Sequence, residues 1–244
     1  MGEKDQKSLG NEHKHWVEKS NHTRLKHLIL QYYLKSWASI LANASFHNQQ
    51  EDIYYIDGFA GRGVFLNGDF GSPLIAIEEM NSVQTEFNNN YPDKRLQFHV
   101  INIENEISNY EMLEKIRCTN RTNIKLTNIL GNFLEESKKL LARNSLKNCS
   151  CFWFVDPFYG ARDFTFDDLM DLLFENNKKR LRKEVLVNFM TYSIVRFIRH
   201  SNEQPYILRF LGAKNYDEIL AAANKQSDNL EEIIIEFYKK KLRE

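Results

Sequence analysis

Strand and helix signals alternate along residues 53–190, and no other feature restricts the possible folds as much. Apolar runs at 53–57 (IYYID), 96–104 (LQFHVINIE), 124–130 (IKLTNIL), 151–158 (CFWFVDPF) and 184–190 (EVLVNFM) have the length and content of buried strands. Segments 72–80, 107–117, 134–143 and 166–177 between them carry helical periodicity. Ser72 is the expected N-cap of the first of these, with Pro73 at the first helical position. This alternation predicts an α/β fold, a doubly wound (Rossmann-like) parallel sheet with helices on both faces. The expected strand order is 3-2-1-4-5.

A long amphipathic helix precedes the sheet over 22–43. Leu25, Leu28, Ile29, Tyr32, Tyr33, Trp37, Ile40 and Leu41 recur there at helical spacing. After Met190 the chain reads as helical; YILRFL (206–211) suits a helix, and the final stretch places Lys and Arg at a helix C-terminus. No sixth or seventh strand is expected, which leaves strand five at an edge. The expected organisation is a polar tail at 1–21, a Rossmann domain with its leading helix at 22–200, and a helical extension at 201–244. His13 and His15 read as part of the solvated tail.

Composition narrows the function classes. Lys+Arg 33 balances Asp+Glu 33 over 244 residues, which excludes a uniformly basic nucleic-acid-coating protein but not a local basic patch such as 178–183 (KKRLRK). No apolar run approaches the roughly 18 residues of a membrane helix, and Met1–Lys19 has no apolar signal-peptide core. Cys118, Cys149 and Cys151 make neither a disulfide framework nor a metal-ligand spacing, so a reduced, cytoplasmic protein without a metal site is expected. The P-loop pattern and the Gly-x-Ser-x-Gly elbow are both absent.

The chemistry concentrates after the strands. Asp57-Gly58-Phe59-Ala60-Gly61-Arg62-Gly63 follows the first strand directly. A glycine loop there, where Gly61 and Gly63 allow close backbone approach, reads as a nucleotide-type cradle. An acid ending the second strand would bind ribose hydroxyls; Glu104 fills that place, with Glu106 as the alternative. The 47 residues from Asp57 to Glu104 exceed the roughly 20 of a compact dinucleotide site, and the excess falls in loops. After strand three, Asn132 and Phe133 would lie beside an adenine, or Asn132 caps a helix. After strand four, Asp156-Pro157-Phe158-Tyr159 would face the crevice where the strand order reverses and suits a planar acceptor.

These segments together resemble a class I S-adenosylmethionine-dependent methyltransferase, and more narrowly the three-Cys-motif partner (TcmP) family. The resemblance rests on HTRLKHLILQYYLKSWASIL (22–41), YYIDGFAGRG (54–63), GSPLIAIE (71–78), FWFVDPF-YG (152–160) and EVLVNFMTYSIVR (184–196). It implies S-adenosylmethionine as cofactor. Asp57, Gly58, Phe59, Ala60, Gly61 and Gly63 would cradle its methionine part, Glu104 would hold its ribose, and Asn132 and Phe133 would flank its adenine. Asp156, Pro157, Phe158 and Tyr159 would be the catalytic group; the resemblance assigns no acceptor, and nucleic acid is the one expected from the crevice residues. Phe158 stands where amino-methyltransferases of the Asp-Pro-Pro-Tyr type carry proline. No cysteine follows a proline, which disfavours a covalent cytosine-C5 mechanism. The alternative implied by the same family is a non-catalytic cofactor-fold subunit. Such a subunit would serve a radical-S-adenosylmethionine-like three-Cys-motif protein in a phage-defence or nucleic-acid-processing cassette.

Overall fold

A computed structural model describes residues 19–45, 50–119, 122–142, 146, 149–157, 160–175, 179–180, 183–222 and 229–243. Its central element is a five-stranded sheet. The strands are β1 (Gln50–Asp57), β2 (Arg95–Glu104), β3 (Lys125–Leu130), β4 (Ser150–Val155) and β5 (Lys183–Val187), in the order β3-β2-β1-β4-β5. The sheet is parallel, with Tyr55 opposite Val100 and Phe152, and Ile101 opposite Thr127. The order reverses between β1 and β4, as the alternation predicts.

The chain divides into two units, Met1–Phe154 and Val155–Glu244. In the first unit, helices α1 (Asn21–Ala44), α2 (Ser72–Asn90), α3 (Ile107–Thr119) and α4 (Phe133–Ala142) accompany the strands. Neighbouring residues of β4 show why both sheet faces need cover. Successive side chains on a strand point to opposite faces. Phe152 meets Trp37 and Tyr33 of α1, with ring centroids 5.4 and 5.5 Å away. Trp153, fully buried, meets Phe133 of α4 edge-on at 6.3 Å.

Helix α1 buries Trp37 of the expected apolar set but turns most of the rest outward. His27, Leu30, Leu34, Trp37, Ala38 and Ala42 are inside, whereas Leu25, Leu28, Ile29, Tyr32 and Ile40 are exposed. Both faces are apolar, so helical periodicity alone could not choose between them; packing against α2 and Phe152 does. The N-cap of α2 is Gly71, not Ser72, and Pro73 occupies the second helical position. Gly71 is required because a Cβ there would lie 3.0 Å from the Gly63 carbonyl oxygen, which accepts the Gly71 N–H at 2.8 Å.

In the second unit, α5 (Phe166–Leu173) opens with a reciprocal capping box between Thr165 and Asp168. The helix expected to reach residue 177 stops at Leu173, because Phe174 turns extended and pairs, with Glu175, against Lys179–Arg180 in a two-stranded antiparallel ribbon. The basic run 178–183 is therefore not one solvated loop: Lys183 is buried as the first residue of β5, while 178, 181 and 182 lie outside the described residues. Among the described residues four helices follow: α6 (Thr191–Phe197), α7 (Gln204–Leu211), α8 (Tyr216–Ala222) and α9 (Leu230–Lys241). Phe166, Phe189, Phe210 and Tyr238 form their aromatic core; Phe189 and Tyr238 are 4.6 Å apart. Among the described residues no strand follows β5, in agreement with the expected five-strand sheet. No described helix is long and apolar enough to cross a membrane.

Candidate functional site

Asp57 ends β1 fully buried. It accepts hydrogen bonds from the Tyr55 hydroxyl at 3.2 Å and from the Phe59 N–H at 3.2 Å. The second bond folds the chain back immediately after the strand. The Gly58 N–H continues toward the Phe154 carbonyl at 2.9 Å, and the Ala60 N–H reaches the Ile103 carbonyl at 3.1 Å. The loop is thus tied to both strands beside β1. Gly61 and Gly63 follow at φ 63° and 79°, a left-handed backbone that glycine adopts without strain.

Glu104 is the other half of this arrangement. It ends β2, is buried, and accepts the Glu106 N–H at 2.7 Å, while the backbone N–H groups of Gly61 and Asn105 also act on its carboxylate. Burial raises its carboxyl above the usual range, and the three N–H groups oppose that rise. The carboxylate therefore sits directly against the glycine loop. A carboxylate offers about four lone-pair sites, so three backbone donors leave acceptor capacity for a hydroxyl. This donor and acceptor set fits a ribose-bearing cofactor at the carboxyl ends of β1 and β2. Glu106, the alternative acid, is exposed before α3, where its carboxylate accepts the Ser108 hydroxyl at 3.5 Å.

Several residues expected at the site also do structural work. Gly58 makes room for Phe133: a Cβ there would lie 2.6 Å from the ring. Phe133 is buried, and Phe59 packs on it at 5.0 Å. A Cβ on Gly63 would lie 2.7 Å from Ile116 Cδ1 of α3, so helix packing, as well as any ligand, demands glycine there. Asn132 caps α4, its Oδ1 accepting the Leu134 N–H at 2.9 Å.

In the second unit, Asp156 and Pro157 follow β4; Phe158 and Tyr159 lie outside the described residues. The residue that sequence reasoning missed is Asn188. Its backbone N–H donates to the Val155 carbonyl at 2.9 Å, and its side-chain amide donates to Asp156 Oδ1 at 2.8 Å. The available signal was a lone asparagine inside the apolar run VLVNFM. Of the cysteines, Cys151 is buried in β4, Cys149 is half-buried and Cys118 is exposed. No cluster of three metal-ligating side chains occurs among the described residues.

No protein-family model and no curated protein matches the chain. Among solved structures, it is similar to a caffeoyl-CoA O-methyltransferase-like protein from Staphylococcus aureus, at 13% identity and a TM-score of 0.34, over 98% of this chain and 89% of that one. That likeness is too distant to bear on function, which rests on the site itself.

Proposed function

We propose that the protein is an S-adenosylmethionine-dependent methyltransferase of the three-Cys-motif partner type. One observation carries this reading: the buried Glu104 carboxylate at the end of β2 faces the glycine loop that follows β1, which is tied to the same strand by the Ala60 N–H bond to the Ile103 carbonyl. Glu104 would take a ribose hydroxyl. Asp57, Gly58, Phe59, Ala60, Gly61 and Gly63 would shape the cradle for the methionine part, and Asn132 and Phe133 would border the adenine. When bound, the cofactor supplies an electrophilic sulfonium methyl group. The chain's own contribution is then alignment, since methyl transfer depends chiefly on in-line approach.

Asp156, held by Asn188, and Pro157 are proposed to orient the acceptor. A carboxylate and a carboxamide joined by a hydrogen bond set acceptor and donor atoms side by side, which supports a nucleic-acid base as acceptor. The test is transfer of labelled methyl from S-adenosylmethionine to DNA, to tRNA and to protein. Label reaching nucleic acid, and lost in Asp156→Ala, supports the reading; label reaching none of the three contradicts turnover and favours a binding subunit.

A further inference from the structure

Helix α1 carries a second apolar face, exposed along its length. Leu28, Tyr32, Ser36 and Ile40 stand at i, i+4, i+8 and i+12, one ridge of the kind that interlocks with a second helix. Tyr32 is 71% and Ile40 67% exposed, and Leu25, at 57%, extends the ridge toward the helix N-terminus. Ser36, whose hydroxyl donates to the Tyr32 carbonyl at 3.0 Å, leaves a small-residue gap between the two large side chains. The ridge runs about 22 Å from Leu25 to Ile40 at 1.5 Å per residue. Contiguous exposed apolar surface of this kind marks an interaction site.

Charge selects the occupant. Residues 19–45 contain Lys19, Arg24, Lys26 and Lys35 and no Asp or Glu. Arg24 and Lys35 are exposed and lie three turns apart along one margin of the ridge. A second copy of this helix would bring like charges together along that margin. A helix with acidic margins would neutralise them, and like-charge juxtaposition is the usual device that excludes wrong partners.

We infer that the Leu25–Ile40 ridge of α1 docks an amphipathic helix of another protein whose apolar stripe is bordered by Glu or Asp. Leu28, Tyr32 and Ile40 are its apolar anchors; Arg24 and Lys35 set the charge preference. This inference is independent of the proposed methyl transfer.

The probe is a synthetic helical peptide with leucine on one face and glutamate along both margins, compared with the same peptide carrying lysine. The full chain is titrated with each, followed by fluorescence anisotropy. The glutamate peptide is expected to bind at least about tenfold more tightly than the lysine peptide. Tyr32→Asp should abolish binding, and joint Arg24→Glu and Lys35→Glu substitution should reverse the preference. Because all three side chains are exposed, circular dichroism and the thermal midpoint should stay at wild-type values, which separates lost docking from lost folding. The inference is overturned if the two peptides bind equally or not at all. It is also overturned if Tyr32→Asp abolishes self-association in sedimentation, which would make a second copy the occupant. Binding of phosphatidylglycerol vesicles without binding of the glutamate peptide would overturn it in favour of a lipid surface.

Discussion

Asn188 donates its side-chain amide to Asp156 at 2.8 Å, and its own backbone N–H is anchored on the Val155 carbonyl at 2.9 Å. The amide is therefore held by a strand-type bond and in turn fixes one oxygen of the acid. Asn188→Ala should lower kcat by up to about a hundredfold, the scale associated with misplacing a reacting group by about 1 Å. Affinity for S-adenosylmethionine should not change. A parallel loss of cofactor affinity would place Asp156 and Asn188 in the cofactor cradle instead.

Gly63 and Gly68 both have positive φ, 79° and 86°, but only Gly63 lacks room for a side chain. Gly68→Ala meets nothing within 4 Å and should cost about 1–2 kcal/mol, the penalty of the left-handed backbone. Gly63→Ala adds a clash with Ile116 and Leu113 and should cost roughly 2–5 kcal/mol. Urea denaturation of both variants measures the difference. Equal costs would mean that α3 yields to the added methyl.

Much of the fold was legible because each strand is an apolar run bounded by turn residues. β1 ends at an acid and a glycine loop, and β4 at Asp156-Pro157. The face of α1 was not legible, because Leu25, Leu28 and Tyr32 repeat as regularly as Leu30, Leu34 and Trp37. The roles of Gly58 and Gly63 were half legible. Their spacing marked a tight loop, but that their missing side chains make room for Phe133 and Ile116 depends on contacts far along the chain. Asn188 was hidden because pairing between strands distant in sequence brings it to Asp156.

Two groups should shape stability against pH in opposite directions. His99 bonds Asp52 at 2.7 Å and stacks on Tyr54 at 4.3 Å; burial lowers its pKa below 6.5 despite the carboxylate. The unfolded chain then binds the proton more readily, so this stability is present above pH 6.5 and lost as pH falls through the lowered value. Glu104 has the reverse sense. Its pKa is raised above 4.5 by burial, so its contribution is full below pH 4.5 and lost as pH rises through the raised value. Urea midpoints across pH should show His99→Gln flattening the first limb and Glu104→Gln the second. A limb left unchanged by its variant would remove that group from the account.

The Glu104 contact with the glycine loop bears most directly on the proposed cofactor. The decisive measurement is calorimetric titration of S-adenosylmethionine into the wild-type chain and into Glu104→Ala. Saturable binding at one site per chain is expected, weakened about tenfold or more in the variant, the loss expected for a hydrogen bond to a charged group. No heat from the wild type at millimolar cofactor, or equal affinity in the two proteins, would contradict it.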